Sequence, residues 1–205
     1  LASLDIPLIV STAMCDMAEI GESIVALKAQ GVKNLVVLHC TGNYPAELEN
    51  INLRAMQTIE KEFDVLIGYS DHNLSHINPI AATALGATVY EKHFTLDKTL
   101  PGPDHRASLS PEELKQFVAD IRNTEVALGS SKKVVLESEK ENRTKLKKSI
   151  VANVDIKRGQ TIDESMLCVK RPGTGLAPKL WDSLIGKTAT TDIKKDSLLT
   201  ESEFE

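Results

Sequence analysis

A chain of 205 residues and 22.4 kDa is long enough for one large domain or two small ones with real cores. Its net charge of −5 speaks against a general nucleic-acid binder, and no stretch approaches the ~20 apolar residues of a membrane span, so neither nucleic acid nor membrane is an expected partner. Cys15, Cys40 and Cys168 form an odd set without CxxC spacing, which fits neither a disulfide framework nor a zinc knuckle and suits a reducing cytoplasm.

The chain opens at Leu1, without an initiator Met and with no charged-then-apolar leader, and reads as a piece of something longer. Pro7–Ser11 is a short apolar run of the kind a strand buried on both faces shows. A helix is expected from about Asp16 to Gln30, with Ile20, Ile24, Val25 and Leu27 at helical spacing and Gly31 closing it. Leu35–Cys40 reads as a second strand, and a loop with Asn43, Tyr44 and Pro45 leads to a helix over about Leu53–Phe63. Val65–Tyr69 is a third strand before a helix near Ile77–Leu85, and Thr88–Phe94 is a fourth. A long loop then precedes a helix over Pro111–Leu128, with Ser110 as N-cap, Pro111 at the first position and Glu113 completing a capping box.

Strand and helix alternating four times predict parallel βα units. A doubly wound sheet is one solution, although the first βα turn lacks a GxGxxG phosphate loop. A (β/α)₈ TIM barrel is the other, of which four units would be half. From Gly129 the composition shifts: Lys132–Lys148 holds seven basic and three acidic residues with almost no apolar periodicity and reads as a solvated linker. The division expected is therefore a βα unit over 1–129, either half a barrel or an open sheet, a linker over 130–148 and a small β-rich domain over 149–205. Asp155-Ile-Lys-Arg-Gly159 and Asp192-Ile-Lys-Lys-Asp196 read as one turn used twice in that last module.

Parallel βα proteins bind ligands at the carboxyl ends of their strands, and those ends are polar here: Ser11-Thr12, His39-Cys40-Thr41, Ser70-Asp71-His72 and Glu91-Lys92-His93. His72 and His93 occupy equivalent places on adjacent strands, so their imidazoles are expected to converge on a divalent cation, Mn²⁺ or Mg²⁺. Taken alone, His72 reads equally well as a capping or packing residue. His39 reads as a satisfied core histidine, and His76 and His105 as surface or loop residues. Alternation puts Glu91 on the face of His93 and Lys92 on the other; a buried Glu91 would bind substrate hydroxyls or handle a proton, or else form a structural ion pair. The stiff loop Leu100–Arg106 would hold Asp104 in place. Ser11 and Ser70 are candidate phosphate ligands, and equally N-caps. Arg171, on a Gly-rich loop of the last module, is either a solvated charge or a planar donor to a ligand.

Taken in order, Val10–Met14, His39–Thr41 with Tyr44-Pro45, Gly68–His72, Glu91–Thr95, Pro101–Asp104 and Val169–Gly173 resemble the signatures of the sialic acid synthase family. The resemblance covers nearly the whole chain. It implies a (β/α)₈ barrel, here its last four units, followed by an antifreeze-like SAF (β-clip) domain, in a domain-swapped homodimer. It further implies an enzyme that joins phosphoenolpyruvate and water to N-acetylmannosamine, giving N-acetylneuraminate and phosphate, or a relative making legionaminic or pseudaminic acid. Residue by residue, it makes His72 and His93 metal ligands, with Mn²⁺ the usual ion, and Glu91, His72 and His93 the catalytic set. Phosphoenolpyruvate would fall to Ser11, Ser70 and Asn43, the last one place beyond Gly42, where some members carry the asparagine ligand. The sugar would fall to Tyr44, Glu91, Asp104 and Arg171. Four units alone are not expected to close a barrel or turn over. A non-catalytic antifreeze-like binding fragment is the rival reading, set against by the charged Lys170-Arg171 loop, since ice binding needs a flat apolar face.

Overall fold

A computed structural model describes residues 6–205; Leu1–Asp5, at the head of the expected half-barrel, lie outside the described residues. The chain divides into two compact units, Leu1–Ser130 and Ser131–Glu205.

The first unit runs β1 (Leu8–Ser11), α1 (Met17–Ala29), β2 (Leu35–Cys40), α2 (Ala55–Phe63), β3 (Leu66–Asp71), α3 (Ile77–Ala84), β4 (Val89–Lys92) and α4 (Pro111–Leu128). The strands form one sheet in the order β1-β2-β3-β4, every neighbouring pair parallel. Successive side chains alternate faces. Leu35, Val37, Ile67 and Tyr69 point to the helices, where they pack with Ile20, Ile24, Met56 and Ile59 in the main core. On the other face Leu38 lies against Gly68, whereas Ile9 and Leu66 remain 54% and 58% exposed.

The helix ends follow local chemistry. Asp16 and Glu19 close a capping box at the start of α1, and Ser110 and Glu113 close the expected one at α4, where Pro111 needs no amide donor. α2 starts at Ala55 rather than near Leu53, because Asn52 sits at positive φ and breaks the run before it. β4 ends at Lys92 rather than Phe94: Phe94 leaves the sheet and bridges Leu109 instead. His72 and His93 are thus the first residues beyond β3 and β4, not members of them.

In the second unit, the segment expected as a linker carries a helix, α5 (Lys140–Leu146). Its residues are exposed; Lys140–Glu137 at 2.5 Å and the Lys145–Glu141 pair support it locally, at spacings that no apolar pattern reveals, and the Gly173 amide and Arg171 Nε donate to its Thr144 and Leu146 carbonyls at 2.9 and 3.1 Å. Beyond it, β5 (Ser149–Ala152) pairs antiparallel with β6 (Leu167–Lys170), short bridges replace longer strands, and α6 (Trp181–Leu184) lies between them and the carboxyl end. Ile150, Ile156, Ile162, Ile193 and Leu199 centre a separate core.

The repeated turn is real and reciprocal. Ile156 and Ile193 exchange backbone hydrogen bonds at 2.8 Å. Asp192 accepts from the Arg158 amide (2.9 Å) and Lys157 Nζ (3.0 Å), while Asp155 accepts from the Lys195 amide (2.8 Å) and Lys194 Nζ (3.3 Å). These bonds draw both carboxyl groups below the usual carboxylate range, the backbone amide contributing most. The fifth position of each copy, Gly159 and Asp196, takes positive φ.

Gly68 is where the sheet tolerates no side chain. A Cβ there would lie 2.4 Å from Leu38 Cδ2 and 2.5 Å from the Val89 carbonyl oxygen, which is backbone and cannot give way. Gly68→Ala is expected to destabilise the first unit by ~1–3 kcal/mol. In a urea titration the tyrosine signal, which reports only that unit, should shift to lower midpoint while Trp181 fluorescence, from the second, stays put.

Candidate functional site

The register sets the site. Cys40 pairs with Ser70 and Ser70 with Glu91, so these three share one level on the face away from the helices, and His72 and His93 follow one level above. The two imidazole centroids are 5.5 Å apart, with ring planes at 80°. Tyr44 packs against both, 4.3 Å from His93 and 5.0 Å from His72.

His72 Nδ1 lies 2.9 Å from the Thr41 carbonyl oxygen. A carbonyl only accepts, so Nδ1 carries the proton and Nε2 keeps its lone pair, the tautomer a metal ligand needs. The Cys40 sulfur sits 3.8 Å from the same Nδ1. His93 Nδ1 is 3.8 Å from Asp104 Oδ2, too long for a hydrogen bond but near enough to orient the ring. Ser70 donates to Glu91 at 2.7 Å. Glu91 is exposed rather than buried, because β4 lines the sheet edge, and its partner is that hydroxyl, not a basic side chain. Among the described residues no group of three or more His, Cys, Asp or Glu is placed to hold a metal ion.

The Tyr44 hydroxyl is buried without a hydrogen-bond partner among the described residues. Ser108, the nearest candidate, gives its proton to the Asp104 carbonyl at 2.7 Å. A buried hydroxyl on a ring packed against two imidazoles is a donor awaiting an acceptor.

Other expected residues are not drawn into this cluster. Ser11, in register with Leu38, accepts a weak bond from the Ala13 amide at 3.4 Å, a turn contact. Asn43 is exposed on the loop before Tyr44. Arg171 belongs to the second unit, where its Nε donates to the Leu146 carbonyl at 3.1 Å. His39 is satisfied by the Ile51 carbonyl at 2.6 Å, and His105 by Thr95 at 2.7 Å, so His105 is a strut of the loop that carries Asp104 rather than a free surface group. All three cysteines are free thiols.

Sequence reasoning overlooked the face behind the histidines. Lys92 Nζ and Asp71 Oδ2 form an ion pair at 3.1 Å, their side chains 6% and 1% exposed. The signal was available: Asp71 and Lys92 each precede a site histidine, and alternation sends both to the apolar helix side.

A four-stranded parallel βα sheet with imidazole, phenol and carboxylate groups gathered at the carboxyl ends of its strands is half of a (β/α)₈ barrel, with polar groups at the end where barrels bind ligands. The chain belongs to the NeuB family, whose profile it matches over residues 1–133, and residues 147–205 match the SAF domain. It is 42% identical to the N,N'-diacetyllegionaminic acid synthase of Legionella pneumophila, with 100% of this chain and 58% of that protein covered. It is 39% identical to the N-acetylneuraminate-9-phosphate synthase of Mus musculus, over 97% of this chain and 56% of that one. The crystal structure of the N-acetylneuraminic acid synthetase of Leptospira borgpetersenii superposes with a TM-score of 0.63 at 33% identity, covering 69% of this chain and 49% of that one. The chain thus spans little more than half the length of such relatives. The half-barrel with a small antiparallel SAF domain is the fold expected from the motifs.

Burial is the largest influence on all three tyrosines and pushes every phenol above its ordinary value. The Asp104 and Asp71 charges add to it at Tyr44, and Asp71 adds to it at Tyr69. Unfolded phenols ionise near pH ~10. Above that pH the folded chain therefore holds more protons than the unfolded one, and stability falls as pH rises. In an alkaline titration, phenolate absorbance is expected to rise only together with loss of the folded circular-dichroism signal. A midpoint near ~10 in the still-folded chain would contradict this burial.

Proposed function

We propose that the protein is a nonulosonic acid synthase that condenses phosphoenolpyruvate with N-acetylmannosamine, or a related N-acyl hexosamine, and water, releasing phosphate. The observation that carries the reading is the His72–His93 pair, whose ring centroids converge at 5.5 Å with His72 Nδ1 turned to the Thr41 carbonyl and Nε2 facing only the Cys40 thiol at 3.9 Å.

Two imidazoles with oxygen donors from water and substrate suit a divalent ion of the Mn²⁺ or Mg²⁺ kind. His72 and His93 would hold it, and it would supply Lewis-acid polarisation of the sugar aldehyde. The chain's own groups do the rest. The Tyr44 hydroxyl, without an acceptor among the described residues, donates to a sugar oxygen. Glu91, accepting from Ser70 and open to the cleft, receives sugar hydroxyls and handles a proton, with Asp104 on the other side of His93. Ser11 and the exposed Asn43 are phosphoenolpyruvate donors of this reading, Ser70 joins them only by turning its proton away from Glu91, and Arg171 would reach the sugar of the partner subunit's site in a domain-swapped dimer. Holding both reactants at the strand ends makes the carbon–carbon step effectively unimolecular. The enol carbon bonds to the aldehyde carbon, water adds at the former enol-phosphate carbon, and the bond to phosphate breaks. The same reading has the protein work in the cytoplasm as a domain-swapped homodimer; no helix among the described residues is long and apolar enough to cross a membrane.

The test is phosphate release from phosphoenolpyruvate by the complete gene product, with Mn²⁺ and a panel of N-acyl hexosamines. Release is expected to require both the cation and the sugar, and His72→Ala or His93→Ala should lower kcat by at least ~100-fold. Undiminished metal-dependent turnover in either variant would remove the pair from the site. Faster release with a di-N-acetylated hexosamine than with N-acetylmannosamine would move the acceptor to the legionaminic type.

A further inference from the structure

We infer that the buried Lys92–Asp71 pair is a positioning unit: acting from the far side of the sheet, it sets the placement of the His72 ring, and so its distance from His93, and of the Tyr44 loop. The inference deepens the functional reading above and rests on it for what those rings bind.

The ladder between β3 and β4 ends at the Asp71–Lys92 pair, so both histidines stand one residue past the last strand hydrogen bonds. Pairing between β3 and β4 does not reach them; the His72 carbonyl instead accepts from the Ala46 amide at 2.9 Å and the His93 carbonyl from the Leu109 amide at 2.8 Å. The ion pair sits at this last rung, on the face opposite the site, and ties the two strand ends together.

Its hydrogen bonds lead to His72 from both sides. Asp71 Oδ1 accepts from Tyr69 Oη at 3.0 Å and from the Asn73 amide at 3.0 Å, while Oδ2 takes Lys92 at 3.1 Å. Lys92 also donates to the Asn73 carbonyl. Asn73, the residue after His72, is thereby gripped at its N–H by one member of the pair and at its C=O by the other. From there Asn73 Nδ2 donates to the Ala46 carbonyl at 2.5 Å, and the Ala46 amide donates to the His72 carbonyl at 2.9 Å. Ala46 lies two residues after Tyr44. One pair of charges thus governs the backbone around His72 and the loop that packs Tyr44 against both rings.

Stability alone gives little reason for such a pair. Desolvating two charges offsets most of their attraction, and well-packed apolar replacements are often as stable or more so, whereas removing one partner strands a buried charge. What an apolar pair cannot do is hold Asn73 at both ends.

The experiment compares Lys92→Met, the double variant Asp71→Leu/Lys92→Met, and Asp71→Asn in the full chain. Three quantities are read: the urea midpoint, Mn²⁺ affinity by titration of the metal alone, and the imidazole nitrogen NMR signals of His72 and His93. Lys92→Met should fall in stability, and the double variant should recover it while binding Mn²⁺ about 10–100-fold more weakly. The His72 signals of the double variant should lose the single Nδ1-protonated pattern. A folded double variant with unchanged imidazole signals would reduce the pair to a structural role and overturn the proposal. If the double variant does not fold, Asp71→Asn, which keeps an oxygen for Tyr69 and Asn73 but no charge for Lys92, decides by the same signals. If the unsubstituted chain binds no Mn²⁺, the metal reading fails, and the imidazole signals still decide positioning.

Discussion

The two-residue period of a β-strand is the constraint from which the site grows. At the ends of β3 and β4 it sorts neighbouring residues onto opposite faces: His72 and His93 toward the open side, Asp71 and Lys92 toward the helices. Because the strands are parallel and in register, each sorting is repeated on the adjacent strand, and like meets like. Two imidazoles come together on one face and two opposite charges on the other. A slip of one residue would exchange the sets, burying the rings and exposing the ion pair.

The loops supply what the strands do not. Thr41 fixes the His72 tautomer, Tyr44 packs against both rings, and Asp104 approaches His93 from a segment braced by Thr95 and His105. Each comes from a different connection, so the cluster is assembled across the sheet and not along any one element. A rigid platform with adaptable edges is the usual division of labour where strand ends carry chemistry.

What could be read from the amino acids beforehand follows from how local the determining physics is. β2, an unbroken apolar run, and α4, bounded by a capping box, match their expected limits residue for residue. Both are written within a few neighbouring positions. The convergence of His72 and His93 was legible too, since it needs only the strand order of a βα repeat. The exposure of Glu91 was not, because it depends on β4 lying at the sheet edge. Nor was the role of Tyr44, whose packing depends on hydrogen bonds between Ala46 and residues 72–73. The α5 helix escaped notice because it rests on ion pairs three and four residues apart rather than on an apolar stripe.

The doubled turn of the second unit has an implication for how that module holds. Neither copy completes itself: Asp155 secures the loop that follows Asp192, and Asp192 secures the one that follows Asp155. The halves are mutual hostages, so a single half-module would leave its own loop unfastened. Each fastening therefore depends on residues 34 or 40 positions away, which ties the two turns of the module into one unit.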